Sequence, residues 1–356
     1  MYMKSAMDPV AITPLLVDAL VKITRLVANV CINREAGILI AAADGIDVLS
    51  TLLMVVIEAD EQELLLNVVS AITNLSFYGR IEESAEKRRG SSGAIDVDED
   101  TAGVSSGAAA PQTIYRSRIF ARREEICSCL VGVLLHENQL AVVEAARAFG
   151  NFSRDDAVRG VIVGARGDEA MALLLDSANN DDVTFAVVGC MVNLAASPKH
   201  NRILTGKYGC KEYDCVGKLV RGLRRYGLKS VALSAVTCKV LYNLSFGCGG
   251  AGERFADCFF NSPTRDDLVL LRDTLEELLD IANEAKVEAD AQESKFEVPP
   301  YQDFIDTGSA LFTVIENTLR LTMYPGGDDG RDEAKGGESK YEELDESFDD
   351  TCSNRK

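Results

Sequence analysis

Apolar residues recur along the chain at helical spacing, and one polar residue keeps a fixed place among them. It is the central Asn of Val27-Ala28-Asn29-Val30-Cys31, Ile72-Thr73-Asn74-Leu75-Ser76, Phe149-Gly150-Asn151-Phe152-Ser153, Met191-Val192-Asn193-Leu194-Ala195 and Leu241-Tyr242-Asn243-Leu244-Ser245. Counting from that Asn, positions −6, −3, −2, +1 and +2 hold Ile23, Leu26, Val27, Val30 and Cys31 in the first copy. The fourth holds Val187, Cys190, Met191, Leu194 and Ala195. At about 100° per residue these positions share one helix face, whose centre lies about 130° from the Asn. The pattern therefore predicts five helices in which Asn flanks the core and position −4 faces solvent. The fifth copy is looser, with Thr237 at −6, and a degenerate sixth carries Leu311, Val314, Ile315, Asn317, Thr318 and Leu319.

Successive asparagines lie 45, 77, 42 and 50 residues apart, and the long gap contains a 33-residue polar stretch, 81–113, whose removal leaves 44. A period of about 40–47 residues is that of armadillo or HEAT repeats. A second apolar segment precedes each Asn helix, as in Gly45-Ile46-Asp47-Val48-Leu49 and residues 167–175 and 215–223, and short helical stretches at 34–43 and 155–164 come before that. Three helices per repeat favour armadillo. The expected fold is an all-α, right-handed superhelical solenoid over residues 1–323. Its repeats run 15–31 (partial), 33–78, 114–153, 154–196, 197–246 and 251–323 (degenerate). The stripe of the first helix has no earlier helix to cover it, so the N-terminus reads as truncated or capped. Residues 284–300, charged and then Pro-Pro, read as a loop. Stretch 81–113 and the tail 325–356 are rich in Gly, Ser and acid and read as disordered.

Composition narrows the function. Thirty-seven basic residues against 56 acidic ones give a net charge of −19, which disfavours sequence-independent binding to nucleic acid. The tail contributes −6 and the insertion −4. No stretch approaches the roughly 18–20 apolar residues of a membrane span, and the first residues lack the apolar core of a signal peptide. The expectation is a soluble cytoplasmic protein without membrane insertion.

Enzyme and metal chemistry find little footing. The ten cysteines form no CxxC pair and most lie in apolar helical patterns, so they read as reduced core thiols. Cys127 and Cys129, two apart, fall on different helix faces. Cys210, Cys215 and His200 lack a fourth ligand at a recognised zinc spacing. The two histidines, His136 and His200, stand in no nucleophile frame and read as helix-end or surface residues. The run Gly247-Cys248-Gly249-Gly250-Ala251-Gly252 follows a helix rather than a strand and lacks GK[ST], so it reads as a helix stop. No catalytic residue, metal ligand or cofactor is assigned.

The recurrent Asn demands a physical reason, because Asn is a poor residue inside a helix. Asn29, Asn74, Asn151, Asn193 and Asn243 could bond the backbone of a neighbouring repeat. They could equally offer donors and acceptors to an extended peptide laid across the helices. Position −4 holds Arg25, Ser70, Arg147, Gly189 and Lys239: three bases and no acid. Arg25, Arg147 and Lys239 could thus form a basic track for an acidic peptide, with residues 332–350 of the tail as a competitor, or they could be ordinary solvated charges. An import-receptor groove sandwiches lysines with Trp, and this chain has none.

The blocks Ala71-Ile72-Thr73-Asn74-Leu75-Ser76-Phe77-Tyr78, Ala145-Ala146-Arg147-Ala148-Phe149-Gly150-Asn151-Phe152-Ser153-Arg154 and Val240-Leu241-Tyr242-Asn243-Leu244-Ser245 carry a more specific likeness. With them the chain resembles the C-terminal armadillo region of the armadillo repeat-containing protein 2 family, over most of residues 15–323. The resemblance implies a non-enzymatic scaffold or cargo adaptor in cytoplasm and cilium or flagellum. In that role it would bring axonemal parts, radial spokes in particular, to intraflagellar transport. Family members carry a long N-terminal region that this sequence lacks. The competing expectation is a general cytoplasmic armadillo adaptor for acidic peptides, unrelated to cilia.

Overall fold

The computed structural model describes residues 14–59, 61–79, 117–177, 180–206, 213–247, 265–291 and 301–323, and every regular element among them is helical. The expected insertion 81–113 and acidic tail 325–356 lie outside the described residues. The described residues up to Leu319 form one compact unit. A second unit, 320–356, is described only over 320–323, the end of a helix.

The described residues open with α1 (Pro14–Val30), followed by the triplet α2 (Arg34–Ala42), α3 (Val48–Glu58) and α4 (Gln62–Ser76). After a 3-10 turn at Arg118–Arg122 come α5 (Arg123–Leu134) and α6 (Gln139–Phe152). The next triplet is α7 (Asp156–Gly164), α8 (Gly167–Ser177) and α9 (Asp181–Ala195). Then follow the short α10 (Arg202–Thr205), α11 (Cys215–Tyr226) and α12 (Val231–Gly247). Two long helices, α13 (Arg265–Ala291) and α14 (Tyr301–Met323), complete the described chain.

Local chemistry explains where several helices begin. Asn33, Asn138, Asp155 and Asn180 each accept a first-turn amide on the side chain, at 3.0, 3.2, 2.8 and 2.9 Å, which satisfies a donor the helix cannot. Gly206, at φ 66°, closes α10 in the left-handed conformation that a side chain disfavours.

The helices that carry the recurrent Asn stack in chain order, α1 on α4, α4 on α6, α6 on α9 and α9 on α12. Between them the predicted stripe closes into one core. Ala145, Ala148, Phe149 and Phe152 on α6, and Val187, Cys190, Met191 and Leu194 on α9, are buried. On α1 the same positions behave differently: Ile23 is 57% and Leu26 62% exposed, with no described helix on their outer side.

The expected loop 284–300 is corrected in part. Helix α13 runs on to Ala291, because Ala282 continues its buried stripe, the following Glu, Ala and Lys residues favour a helix, and no Pro stands between its start and Pro299. Among the described residues no helix is long and apolar enough to cross a membrane.

Candidate peptide-binding face

Four of the recurrent asparagines, Asn74, Asn151, Asn193 and Asn243, occupy half-buried positions along the stacked helices, and their hydrogen bonds repeat. Asn74 Nδ2 donates to the Ala28 carbonyl at 2.9 Å, and Asn243 Nδ2 to the Val192 carbonyl at 3.1 Å. Asn151 Nδ2 donates to the Thr73 carbonyl at 3.2 Å, and Asn193 Nδ2 to the Gly150 carbonyl at 3.2 Å. In every case the acceptor is the carbonyl just before the Asn of the preceding copy. The structural reading of the Asn is therefore realised at four rungs.

Two rungs are doubled. Ser76 Oγ folds back on the Thr73 carbonyl at 2.6 Å and accepts from Asn151 at 3.0 Å. Ser153 Oγ does the same with the Gly150 carbonyl at 3.0 Å and accepts from Asn193 at 2.9 Å. Cys31 and Ala195 stand at the corresponding places for the single rungs. The stripe pattern put Ser76 and Ser153 among apolar positions and gave no sign of this role, although Ser at three of the five +2 positions was the signal.

Each carboxamide still has its oxygen. Among the described residues, Oδ1 of Asn74, Asn151, Asn193 and Asn243 accepts no hydrogen bond, while the side chains stay partly open to solvent. Asn29 is exposed and its side chain bonds nothing described.

Position −4 departs from the expected open basic track. Arg25 is exposed but bound to Glu63 of α4, and Arg147 is exposed and meets Glu144 at 3.0 Å. Lys239 is only 11% exposed and meets Asp303 of α14 at 3.1 Å. Gly189 is buried. The solvent-facing assignment is thus corrected at Gly189 and Lys239, since α9 is flanked by α6 and α12 and α14 supplies a carboxylate against α12. The three bases come with carboxylate partners that a ligand would have to displace or share.

No family model matches the chain. Over 263 residues it is 30% identical to armadillo repeat-containing protein 2 of Homo sapiens, covering 74% of this chain and 25% of that protein. The Mus musculus protein is 29% identical over 266 residues, covering 74% of this chain and 26% of that one. The chain spans about a quarter of the length of these curated relatives. An engineered protein of solved crystal structure shares the fold at 15% identity and TM-score 0.52, covering 86% of this chain and 94% of that one.

The chain is an armadillo-repeat solenoid.

The remaining polar groups of this armadillo unit read as parts of its frame. Ser197 Oγ lies 2.9 Å from His200 Nδ1, and Asp156 Oδ1 lies 3.8 Å from the same nitrogen. A nucleophile–base–orienter relay needs the two partners on opposite ring nitrogens, so this trio ties a turn to α7 instead. Burial pushes the His200 pKa down against the pull of Asp156, and the Arg159 hydrogen bond holds the Asp156 carboxyl low. His136 Nδ1 accepts the Asn138 amide at 3.0 Å, a turn contact.

Of the zinc trio considered above, Cys210 lies outside the described residues, Cys215 is buried and His200 is engaged with Ser197. Cys127 is buried and Cys129 half-buried, on different faces as the spacing implies. Burial raises the thiols of Cys31 to about 11 and of Cys127 and Cys190 to about 12, and raises Cys238 further, which keeps them protonated.

One armadillo core residue is polar and poorly served. Asp168, at the start of α8, is 2% exposed, and neither carboxylate oxygen has a hydrogen bond of good geometry. Arg202 Nε stands 3.9 Å away. Burial lifts the Asp168 pKa to about 6, an effect that Arg202 and first-turn amides only partly offset. Beside it, Glu169 is held low by Arg166 and then by Tyr213, whose hydroxyl donates to it at 2.9 Å.

Proposed function

We propose that this armadillo unit is a non-enzymatic scaffold or cargo adaptor that holds an extended peptide segment along its asparagine row. One observation carries the reading: four successive carboxamides spend an N–H on the preceding repeat and each keep an oxygen that accepts nothing among the described residues. A peptide in extended conformation offers backbone N–H groups to such a row. Asn29 extends the row at the α1 end with a carboxamide wholly free for ligand. Arg25 and Arg147 flank it and favour an acidic segment, while Lys239 joins only if Asp303 yields. The similarity to armadillo repeat-containing protein 2 supports a role in motile cilium or flagellum assembly. Radial-spoke or intraflagellar transport components would then be the partners, in cytoplasm and cilium.

The test is purification of the tagged protein from flagellated cells beside an R25E/R147E variant, with co-purifying proteins identified by mass spectrometry. Radial-spoke or transport subunits bound by the wild type and lost by the variant are expected. Equal recovery with both forms would overturn the groove, and recovery with neither would overturn the ciliary role. Acidic partners recovered equally well from cells without flagella would favour the general adaptor.

A further inference from the structure

Helix α11 and the 3-10 turn after it, Gly227–Ser230, carry a charge pattern that the asparagine row does not use. From Cys215 to Ser230 there are five basic residues, Lys218, Arg221, Arg224, Arg225 and Lys229, and no acidic one, in a chain of net charge −19. Cys215, Val216, Leu219, Val220 and Leu223 are buried against the body of the repeat. At about 100° per residue the helical cations centre opposite that stripe. Amphipathicity alone explains a polar outer face, but not one of a single sign.

Single exposed cations such as Arg34 and Lys199 also lack a carboxylate among the described residues, but here three stand together. The exposed Arg25, Arg118, Arg147 and Arg166 each meet a carboxylate. Here Lys218 donates to the Ala172 carbonyl at 3.0 Å and Arg221 meets Asp214 at 3.0 Å. Arg224, Arg225 and Lys229 are exposed and meet no carboxylate among the described residues. Helix α13 packs alongside, with Leu278 against Gly227, yet none of its described acids reaches these cations. The Arg225 guanidinium lies 5.6 Å from the centre of the Tyr226 ring, which steadies it before any ligand arrives and lowers the ordering cost.

We propose that the outer face formed by the end of α11 and the turn after it, with Arg224, Arg225 and Lys229 as its cations, is a second docking surface, and that it takes an acidic peptide segment of a partner protein. Charge complementarity selects that class. Three unpaired cations within six residues match a short run of carboxylates, whereas the strongly acidic molecule as a whole repels nucleic acid and anionic membranes over any larger footprint. Because the face lies on the second helix of its repeat, a scaffold could hold one segment here and another along the asparagine row.

Fluorescence anisotropy of the full chain with a labelled Glu-Gly peptide of about ten residues, at about 50 and about 200 mM salt, tests this. The wild type should bind it more weakly at the higher salt. An R224E/R225E/K229E variant should lose at least about tenfold in affinity with an unchanged unfolding temperature, and the neutral R224Q/R225Q/K229Q variant should lose less in the same direction. R34E, at an exposed cation of α2, should bind as the wild type does. Equal affinity in the wild type and the triple variants would overturn the proposal. So would tighter binding of a single-stranded oligonucleotide or of anionic vesicles than of the peptide.

Discussion

Helices α1 and α6 carry the same motif in the same phase, and they live different lives. On α6 the stripe residues Ala145, Ala148 and Phe149 are buried between neighbours, and Asn151 reaches two acceptors on α4. On α1 the matching Ile23 and Leu26 are exposed, and Asn29 bonds nothing described. A motif therefore sets only the face that a residue occupies. What the residue contributes is decided by the next repeat along the stack, as expected where stability is a sum over neighbouring units.

That contrast yields a graded set of outcomes. The largest is at the core: Phe149→Ala should cost about 3–5 kcal/mol through lost burial and the cavity left behind, whereas Leu26→Ala should change stability by less than about 1 kcal/mol. Chemical denaturation of both variants checks it. Comparable losses would mean that the α1 stripe is covered in solution.

A smaller effect separates polar groups that the stack satisfies from one that it does not. The folded pKa of Asp168, about 6, lies above its ordinary value near 3.8, so its ionised form disfavours the fold. That cost is fully present above about pH 6 and is removed as pH falls through 6 towards 4. Asp168→Asn should therefore stabilise the protein by about 1–2 kcal/mol at pH 7, with the gain vanishing near pH 4. Thermal unfolding of both forms across that range is the measurement. A variant less stable at every pH would show that the attraction to Arg202 outweighs burial.

Much of this was legible in the residues. The period of the Asn blocks and the stripe around them foretold helices stacked in order, and Phe149, Leu194 and Ile72 fell where expected. The choice between a structural and a ligand-facing Asn was not legible, because a helical wheel gives a direction and no neighbour. Lys239 shows the same limit: its cover comes from Asp303, 64 residues later on α14. Asp168 was hidden for another reason, since a carboxylate at a helix start ordinarily signals a solvated first turn.

The inter-repeat bonds of the asparagines are tested most directly by one series: the unfolding free energies of Asn29→Ala, Asn74→Ala, Asn151→Ala, Asn193→Ala and Asn243→Ala. Ala gains about 0.5 kcal/mol in helix propensity at each site, while an abandoned half-buried acceptor costs about 1–3 kcal/mol. Asn151 and Asn193, with two acceptors each, should lose most, Asn74 and Asn243 less, and Asn29 nothing or slightly gain. Equal losses at all five sites, or none at Asn151 and Asn193, would contradict the claim that these side chains fasten each repeat to the one before it.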